Sequence, residues 1–149
     1  MGKLRSIAKL SLSDHAAFVE AVLAMGWARI LISFVPMRHW QEQVGIGDQK
    51  TAVPTDEAAL ASLGRVTSAI KRVGRNSPVE FVCLPQALAA RWMLRRRDID
   101  ADLFIGTHRY CKAGEPHKLH AWLKVGERWI TGHCNESDYA IFSRKSALR

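Results

Sequence analysis

The two side chains best suited to chemistry in this sequence are a cysteine and a histidine, Cys83 and His120. Cys83 opens a helical pattern that runs to Arg97, and His120 stands near the start of a strand-like segment 37 residues later. A thiolate is the nucleophilic form of cysteine, and an imidazole can take up and return its proton. The arrangement therefore predicts a thiol nucleophile and its base.

The predicted position of Cys83 favours this chemistry. A helix N-terminus presents unpaired N–H groups and about half a positive charge, which stabilise a thiolate and could also hold an oxyanion. Pro85 suits the first turn, where its missing N–H costs nothing. Cys83 shares one helical face with Ala87, Ala90 and Leu94, so its sulfur should point towards the body of the domain. The alternative is that Cys83 is only a small buried hydrophobic residue.

His120 belongs to the segment 119–125, which alternates in the manner of a strand. This segment and residues 128–131 predict a hairpin around Gly126-Glu127. Alternation places His120, Trp122 and Lys124 on one face of the strand, opposite the apolar side chains. A half-exposed strand histidine without a catalytic role is the alternative for His120.

The N-terminal region predicts helices and not a membrane span. Residues 14–44 contain two apolar helical patterns, with Asp14 as the N-cap and Pro36 as the residue that ends or kinks the element. An apolar window of membrane-spanning length lies within this region, but it contains Glu20 and Arg29. A charge at mid-bilayer costs about 2.5–3.5 kcal/mol on insertion scales. A helix packed on the core or lying at an interface is therefore favoured.

The rest of the chain mixes helices and strands. A polar linker over residues 45–56 precedes a helix that Thr55 or Asp56 would cap and that ends before Pro78. Residues 99–106 have strand character. The predicted organisation is an N-terminal helical extension over residues 1–50 and one α+β domain over residues 55–149.

Composition limits the classes of function. The chain has 149 residues, of which 48% are apolar, so it can form a globular core. Three cysteines without paired spacing argue against a disulfide framework and a zinc site, and we predict no metal and no cofactor. The start lacks the pattern of a secretory signal, so we expect the protein in the cytoplasm. The net charge of +8 suits acidic partners, but no aromatic–basic interleaving indicates nucleic acid.

The sequence resembles a known family. The block from Cys83 to Gly106, followed by His120-Ala-Trp-Leu-Lys-Val125, is similar to the lasso-peptide biosynthesis B2 proteins, the transglutaminase-like leader peptidases of the microcin J25-processing type. The similarity covers residues 65–149 well; the cysteine block is long and fairly specific, whereas His-Ala-Trp is widely shared. It implies an α+β, papain-like fold in which the cysteine helix packs on a small antiparallel sheet that carries the histidine.

The resemblance also implies an activity and partners. A cysteine endopeptidase of this family releases the core of a ribosomally made precursor peptide from its leader. Cys83 would attack the scissile carbonyl, and His120 would transfer the proton. Implied partners are the leader region of the precursor, a small leader-recognition protein and an asparagine-synthetase-like cyclase. Transamidation stays open, because access to the acyl-enzyme decides whether water or an amine accepts the acyl group.

The third residue of the site is open. The family tends to place an acid about a dozen positions after the histidine, and here Gly132 stands there. A regular hairpin would set the histidine opposite His133, with Asn135 as a diagonal neighbour. We predict Asn135 as the orienting residue because Cys-His-Asn sites exist, with His133, Glu136 and Asp138 as alternatives. The missing acid also leaves open a catalytically weakened scaffold that binds a peptide or a maturation partner.

Overall fold

A computed structural model describes residues 11–39, 51–77, 83–110 and 119–142. Within these ranges, three helices pack on a four-stranded antiparallel sheet, which confirms the predicted α+β class. The elements are α1 (Leu12–Phe34), α2 (Glu57–Asn76), α3 (Cys83–Arg95), β1 (Asp102–His108), β2 (Leu119–Val125), β3 (Arg128–Thr131) and β4 (Tyr139–Ile141). The strand order is β3-β2-β1-β4.

Up to residue 39, the region predicted to contain two helices has one α-helix, α1. Ser11 is its N-cap, because the Ser11 hydroxyl accepts a hydrogen bond from the Asp14 N–H at 3.2 Å. The predicted cap at Asp14 is therefore wrong; its carboxylate instead accepts from the Ser11 hydroxyl at 2.7 Å. The helix ends ahead of Pro36, and a single 3-10 turn, Met37–His39, follows. Residues 40–44 of the predicted second helix lie outside the described ranges.

The inner face of α1 consists of small residues and one methionine. Ala17, Ala21, Met25 and Ala28 are buried, and they lie where α1 packs on α2 and α3. By length and composition alone, α1 could cross a membrane: its most apolar 18-residue window has a mean hydropathy of 1.6, and 22% of that window is buried. The predicted boundary between a helical extension and the domain stays a prediction.

α2 and α3 follow their sequence signals closely. Asp56 caps α2 by accepting from the Ala59 N–H at 3.0 Å, and the helix ends at Asn76. α3 begins at Cys83 and buries Ala87, Ala90 and Leu94, three residues of the predicted face. Cys83, the fourth residue of that face, is half-buried. This face places the start of α3 against the sheet.

The linker before α2 is fastened to the sheet. The buried Asp102 carboxylate accepts from the Thr51 N–H at 2.7 Å and from the Thr51 hydroxyl at 3.0 Å. The same hydroxyl accepts from the Gly126 N–H at 3.2 Å, in the turn between β2 and β3. This cluster joins the linker, β1 and the hairpin turn.

The sheet contains the predicted hairpin but not its predicted register. Lys124 pairs with Trp129, whereas Leu123 pairs with Thr131, so one residue of β3 is extra. The pairing of β3 ends at Thr131, and the expected opposition of His120 and His133 is therefore wrong. A regular two-stranded register cannot be extended past a bulge, because the extra residue shifts every later pair.

β1 lies three residues later at its start than predicted, over Asp102–His108 instead of residues 99–106. It forms the centre of the sheet with β2. On one face, Leu103, Ile105 and Ala121 are buried in the core that the helices complete. The opposite face carries aromatic side chains and His120. Cys83, at the start of α3, instead packs against the core.

Candidate active site

Cys83 lies against the strand that carries the histidine. Its Sγ is 3.3 Å from the backbone nitrogen of Ala121, which donates a hydrogen bond to the sulfur. Ala121 directly follows His120 in β2, beyond the point at which β3 stops pairing. The sulfur therefore accepts the hydrogen bond of the Ala121 N–H, a strand group that does not pair with β3. The structure thus brings the start of α3 and the histidine strand together, as the sequence predicts.

The His120 ring is held by a main-chain carbonyl. Its Nε2 lies 2.8 Å from the carbonyl oxygen of Gly132. A carbonyl can only accept, so Nε2 carries the proton and the lone pair of the neutral ring is on Nδ1. No hydrogen bond within the described ranges engages Nδ1, which makes it the nitrogen available to a thiol proton.

Cys83 and His120 share no direct hydrogen bond in the part of the chain that the structure describes. The Ala121 peptide nitrogen, one residue from His120, is the group that contacts the sulfur. In many enzymes without substrate, catalytic hydrogen bonds are long and shorten only in the substrate complex. Proton transfer therefore requires the thiol and the imidazole to approach each other when substrate binds.

Gly132 can aim its carbonyl at the ring because it has no side chain. Its φ is +70°, in the left-handed region that favours glycine. A Cβ at this position would clash with the Ala121 carbonyl oxygen, so no other residue fits without a shift of the backbone. The glycine that stands where the family places an acid thus supplies a different partner to His120.

Aromatic rings fix the plane of the imidazole. The His120 ring lies 5.9 Å from Trp122 and 5.3 Å from Tyr139, measured between ring centroids. Trp122 is fully buried and also stacks on Phe104 at 5.7 Å. Desolvation raises the pKa of the Tyr139 phenol, so Tyr139 remains protonated at neutral pH. These contacts limit rotation of the imidazole about its side-chain bonds.

Gly106 makes room for this arrangement. It pairs directly with His120 across β1 and β2. A Cβ on Gly106 would meet the Ala140 carbonyl oxygen at 2.9 Å and the Tyr139 Cβ at 3.2 Å. The sequence reasoning missed Gly106, Tyr139 and their contact with the histidine. A glycine inside a strand pattern is the available signal, since it indicates a close backbone approach.

Asn135 lies close in sequence to this site but is engaged elsewhere. Its Oδ1 accepts a hydrogen bond from the Ser137 hydroxyl at 2.9 Å. The His133 ring packs on Trp129, with 4.7 Å between centroids. Neither of the two side chains is hydrogen-bonded to the candidate base within the described residues. An orienting role for Asn135 stays a prediction, and Gly132 is the partner that the geometry provides.

Within the described residues, Glu136 is hydrogen-bonded to Trp122, a neighbour of His120, and not to His120 itself. Its carboxylate accepts from the Trp122 indole N–H at 3.0 Å and lies 3.3 Å from the Lys124 ammonium nitrogen. Trp122 stacks on His120, so Glu136 positions the ring that positions the histidine. Asp138 adds a second carboxylate to this loop.

Cys134 is the other thiol of the described chain. Burial raises its pKa, and the nearby carboxylates of Glu136 and Asp138 raise it further. Cys111 and His117 fall outside the described residues. Within the described ranges, no group of three or more histidine, cysteine or acidic side chains could hold a metal ion. Cys134 therefore serves as an internal reference for the reactivity of Cys83.

A cysteine at the start of a helix, packed on an antiparallel sheet beside a histidine, is a scaffold of the cysteine-peptidase type. A family model described as "Transglutaminase-like superfamily" matches residues 22–144. The chain therefore belongs to the transglutaminase-like superfamily, which generally includes cysteine peptidases and transglutaminases. The match begins inside α1 and contains both Cys83 and His120. No curated protein and no solved structure matches the chain.

Proposed function

We propose that the protein is a cysteine endopeptidase that removes the leader from a ribosomally made lasso-peptide precursor. The observation that carries the proposal is the contact of the Cys83 sulfur with the peptide nitrogen next to His120, whose ring is held by Gly132. Membership of a superfamily with cysteine peptidases supports the reaction class. The lasso-peptide substrate rests on the resemblance of the cysteine block, residues 83–106.

The proposed reaction has two steps. His120 Nδ1 takes the proton of Cys83, and the thiolate attacks the scissile carbonyl carbon. Backbone N–H groups in the first turn of α3 stabilise the oxyanion that forms. The imidazolium then gives its proton to the amine of the core peptide, which leaves, and the leader remains as a thioester on Cys83. Water, deprotonated by the same nitrogen, hydrolyses the thioester and releases the leader acid.

Gly132 has a defined part in this reaction. Its carbonyl fixes the Nε2–H tautomer and so keeps the basic lone pair on Nδ1. A neutral carbonyl stabilises the imidazolium less than a carboxylate, because it lacks the full negative charge that would attract the positive ring. We therefore expect a slower peptidase than one with an acidic orienter.

The proposed partners follow from this function. A small recognition protein would present the leader to the cleft, and an asparagine-synthetase-like cyclase would close the ring of the released core. The net charge of +8 suits acidic segments in the precursor. We propose that these reactions take place in the cytoplasm, where a free thiol stays reduced.

Cleavage of the precursor tests the proposal. The full chain, the precursor and the recognition protein are incubated together, and free leader and core are measured by mass spectrometry. Cys83→Ala should abolish release, and His120→Ala should lower the rate by about 10²–10⁴-fold. Cys134→Ser, a matched thiol substitution outside the proposed chemistry, should cleave at the wild-type rate. Cleavage by Cys83→Ala at the wild-type rate would show that the nucleophile is wrong.

A second candidate is a scaffold that binds the precursor or a maturation partner without cleaving it. The neutral carbonyl at His120, in place of an acid, favours this candidate. It predicts that wild type and Cys83→Ala bind the precursor equally and that neither releases leader.

Addition of a primary amine to the cleavage assay separates hydrolysis from transamidation. Only transamidation attaches the amine to the leader through an amide bond, which increases the mass of the leader.

A further inference from the structure

α1 has a second apolar face that is largely exposed in the described chain. Its large outward side chains recur at spacings of seven, four, four, three and four residues, which places them on one side of the helix. They are Leu12, Val19, Leu23, Trp27, Ile30 and Phe34. The exposed fractions of Leu23, Trp27 and Phe34 are 69%, 61% and 80%. We call these six residues the outer stripe.

The outer stripe contains no charge, and the acids of α1 are neutralised beside it. Glu20 binds Arg97 in a bidentate pair, with Nη2···Oε2 at 2.7 Å and Nη1···Oε1 at 3.2 Å. Asp14 lies 3.5 Å from the Arg65 Nε, and hydrogen bonding to Ser11 lowers its pKa. A helix that is apolar all round is found in cores or in membranes, and only the inner face of α1 is in the core.

A cleft beside the outer stripe extends it onto α3. The cleft has a volume of about 780 Å³ and lies between the first half of α1 and the end of α3. Val19 and Leu23 line it from one side, and Trp92 and Met93 from the other. Arg96 stands at its rim: its side chain is 75% exposed, and its Nη1 lies 3.6 Å from the Glu20 carboxylate, which also lines the cleft. An apolar floor with a cation at the rim suits an amphiphile that has an acyl chain and an anionic head.

In the sequence, basic residues occur on either side of α1. Lys3, Arg5 and Lys9 precede α1 in the sequence, and the exposed Arg38 follows it. The whole molecule has a net charge of +8. Two copies meeting through this face would bring two like charges together, whereas an anionic bilayer would attract each copy.

We propose that the outer stripe docks the protein on the surface of an anionic phospholipid bilayer. α1 lies parallel to the membrane, its outer side chains enter the boundary between head groups and acyl chains, and the exposed Arg38 contacts lipid phosphates. Trp27 has the amphipathic ring that is enriched at this depth. α1 does not cross the bilayer, because its inner face stays packed on α2 and α3.

Vesicle co-sedimentation of the full chain tests this proposal. Vesicles of phosphatidylcholine with about one third phosphatidylglycerol are compared with phosphatidylcholine alone. Wild type should pellet with the anionic vesicles, and binding should weaken as salt is raised. The double variant Leu23→Glu/Trp27→Glu should lose about tenfold or more in partitioning, because it places two charges in the apolar boundary. Leu23→Gln/Trp27→Gln should also lose binding, because it removes apolar area from the stripe without adding a charge.

The matched control is Ala58→Glu/Ala61→Glu, which adds the same two charges at exposed positions of α2. It should retain binding within about twofold, since α2 packs on the inner face of α1, away from the outer stripe, and the surface potential falls off within a Debye length. Circular dichroism establishes that each variant is folded. Wild-type protein that stays in the supernatant with both vesicle types would overturn the proposal. A wild-type dimer in light scattering that the Leu23→Glu/Trp27→Glu variant converts to monomer would assign the stripe to a second copy.

Discussion

At the scale of single residues, the candidate site depends on two main-chain groups as much as on two side chains. The Ala121 N–H contacts the Cys83 sulfur, and the Gly132 carbonyl holds His120. Both groups come from the end of the β2–β3 hairpin, where β3 has stopped pairing and leaves them without strand partners. Unpaired backbone groups at the end of a hairpin thus become the fixed polar contacts of the site.

Alkylation should distinguish the two described thiols. Because the pKa of Cys134 is raised, its thiolate fraction at a given pH is lower than that of an ordinary thiol, and its labelling should begin at higher pH. Cys83 lies at a helix N-terminus beside a peptide N–H donor, so we expect iodoacetamide to label it first at neutral pH. Peptide mapping by mass spectrometry follows each cysteine separately. Equal rates at Cys83 and Cys134 would favour the binding scaffold over the peptidase.

Gly132→Ala should damage both stability and cleavage. A residue with a Cβ is strained at φ +70° and meets the Ala121 carbonyl oxygen, so we expect a loss of about 1–3 kcal/mol in unfolding free energy. Relief of that contact would turn the carbonyl away from His120, and kcat should fall at temperatures where the variant is still folded. Denaturant unfolding and the pH profile of cleavage measure the two effects.

Gly64→Ala is the control for that substitution. Gly64 lies in α2, and a Cβ there has no atom within 4 Å. Alanine at a helical position is favoured over glycine by about 0.5–1 kcal/mol, so this variant should be slightly more stable and fully active. If Gly132→Ala behaves like Gly64→Ala, the carbonyl of Gly132 does not position the histidine.

At the scale of elements, the loop after β3 is tied to the outer face of the sheet through Glu136. One carboxylate receives the Trp122 indole N–H and pairs with Lys124, whose side chain is only 11% exposed. Lys124 also lies over the Trp129 ring, 5.1 Å from its centroid. Contacts to Trp129, before Gly132, and to Glu136, after it, therefore hold this loop against β2.

Glu136→Ala and Glu136→Gln should separate the two interactions of this carboxylate. Alanine leaves the buried Trp122 N–H without an acceptor, which should cost about 1–3 kcal/mol in unfolding free energy. Glutamine keeps an oxygen acceptor and loses only the charge opposite Lys124, so its cost should be smaller. Denaturant unfolding of both variants measures this order; equal losses would show that the ion pair, which both variants remove, is the stronger support.

At the scale of the whole molecule, α1 is joined to the domain through packing and through Glu20. Its inner face is closed against α2 and α3, and Arg97 at the end of α3 pairs with Glu20. The family match also begins inside α1, at residue 22. The inner face of α1 is thus in contact with the domain, while its outer stripe is largely exposed.

Two substitutions in α1 should show whether this helix unfolds with the domain. Met25 is fully buried, so Met25→Ala should cost about 2–5 kcal/mol in unfolding free energy. Leu23 is on the outer stripe, and Leu23→Ala should change stability by about 0.5 kcal/mol or less. One cooperative transition in denaturant is expected for both. An unchanged main transition in Met25→Ala would instead describe α1 as a separate extension.

The amino-acid sequence alone predicts the local elements and their faces. Helix bounds follow from caps and breakers such as Asp56 and Pro36, and strand alternation places His120 and Trp122 on one face. These features depend on neighbours within a few residues, which is why they can be read from spacing. The α+β class and the proximity of the Cys83 helix to the His120 strand were also predicted, the fold through the resemblance to a known family.

Tertiary structure alone decided which group holds the histidine. The bulge between Leu123 and Lys124 shifts the hairpin register, and the left-handed turn at Gly132 then brings a carbonyl to His120 where Asn135 was expected. A bulge and a turn depend on contacts between distant segments, and a backbone carbonyl has no residue type that a sequence pattern could mark. The exposure of the outer face of α1 among the described residues also depends on tertiary structure. Composition gives a helix its apolar faces, and only packing shows which of them enters the core.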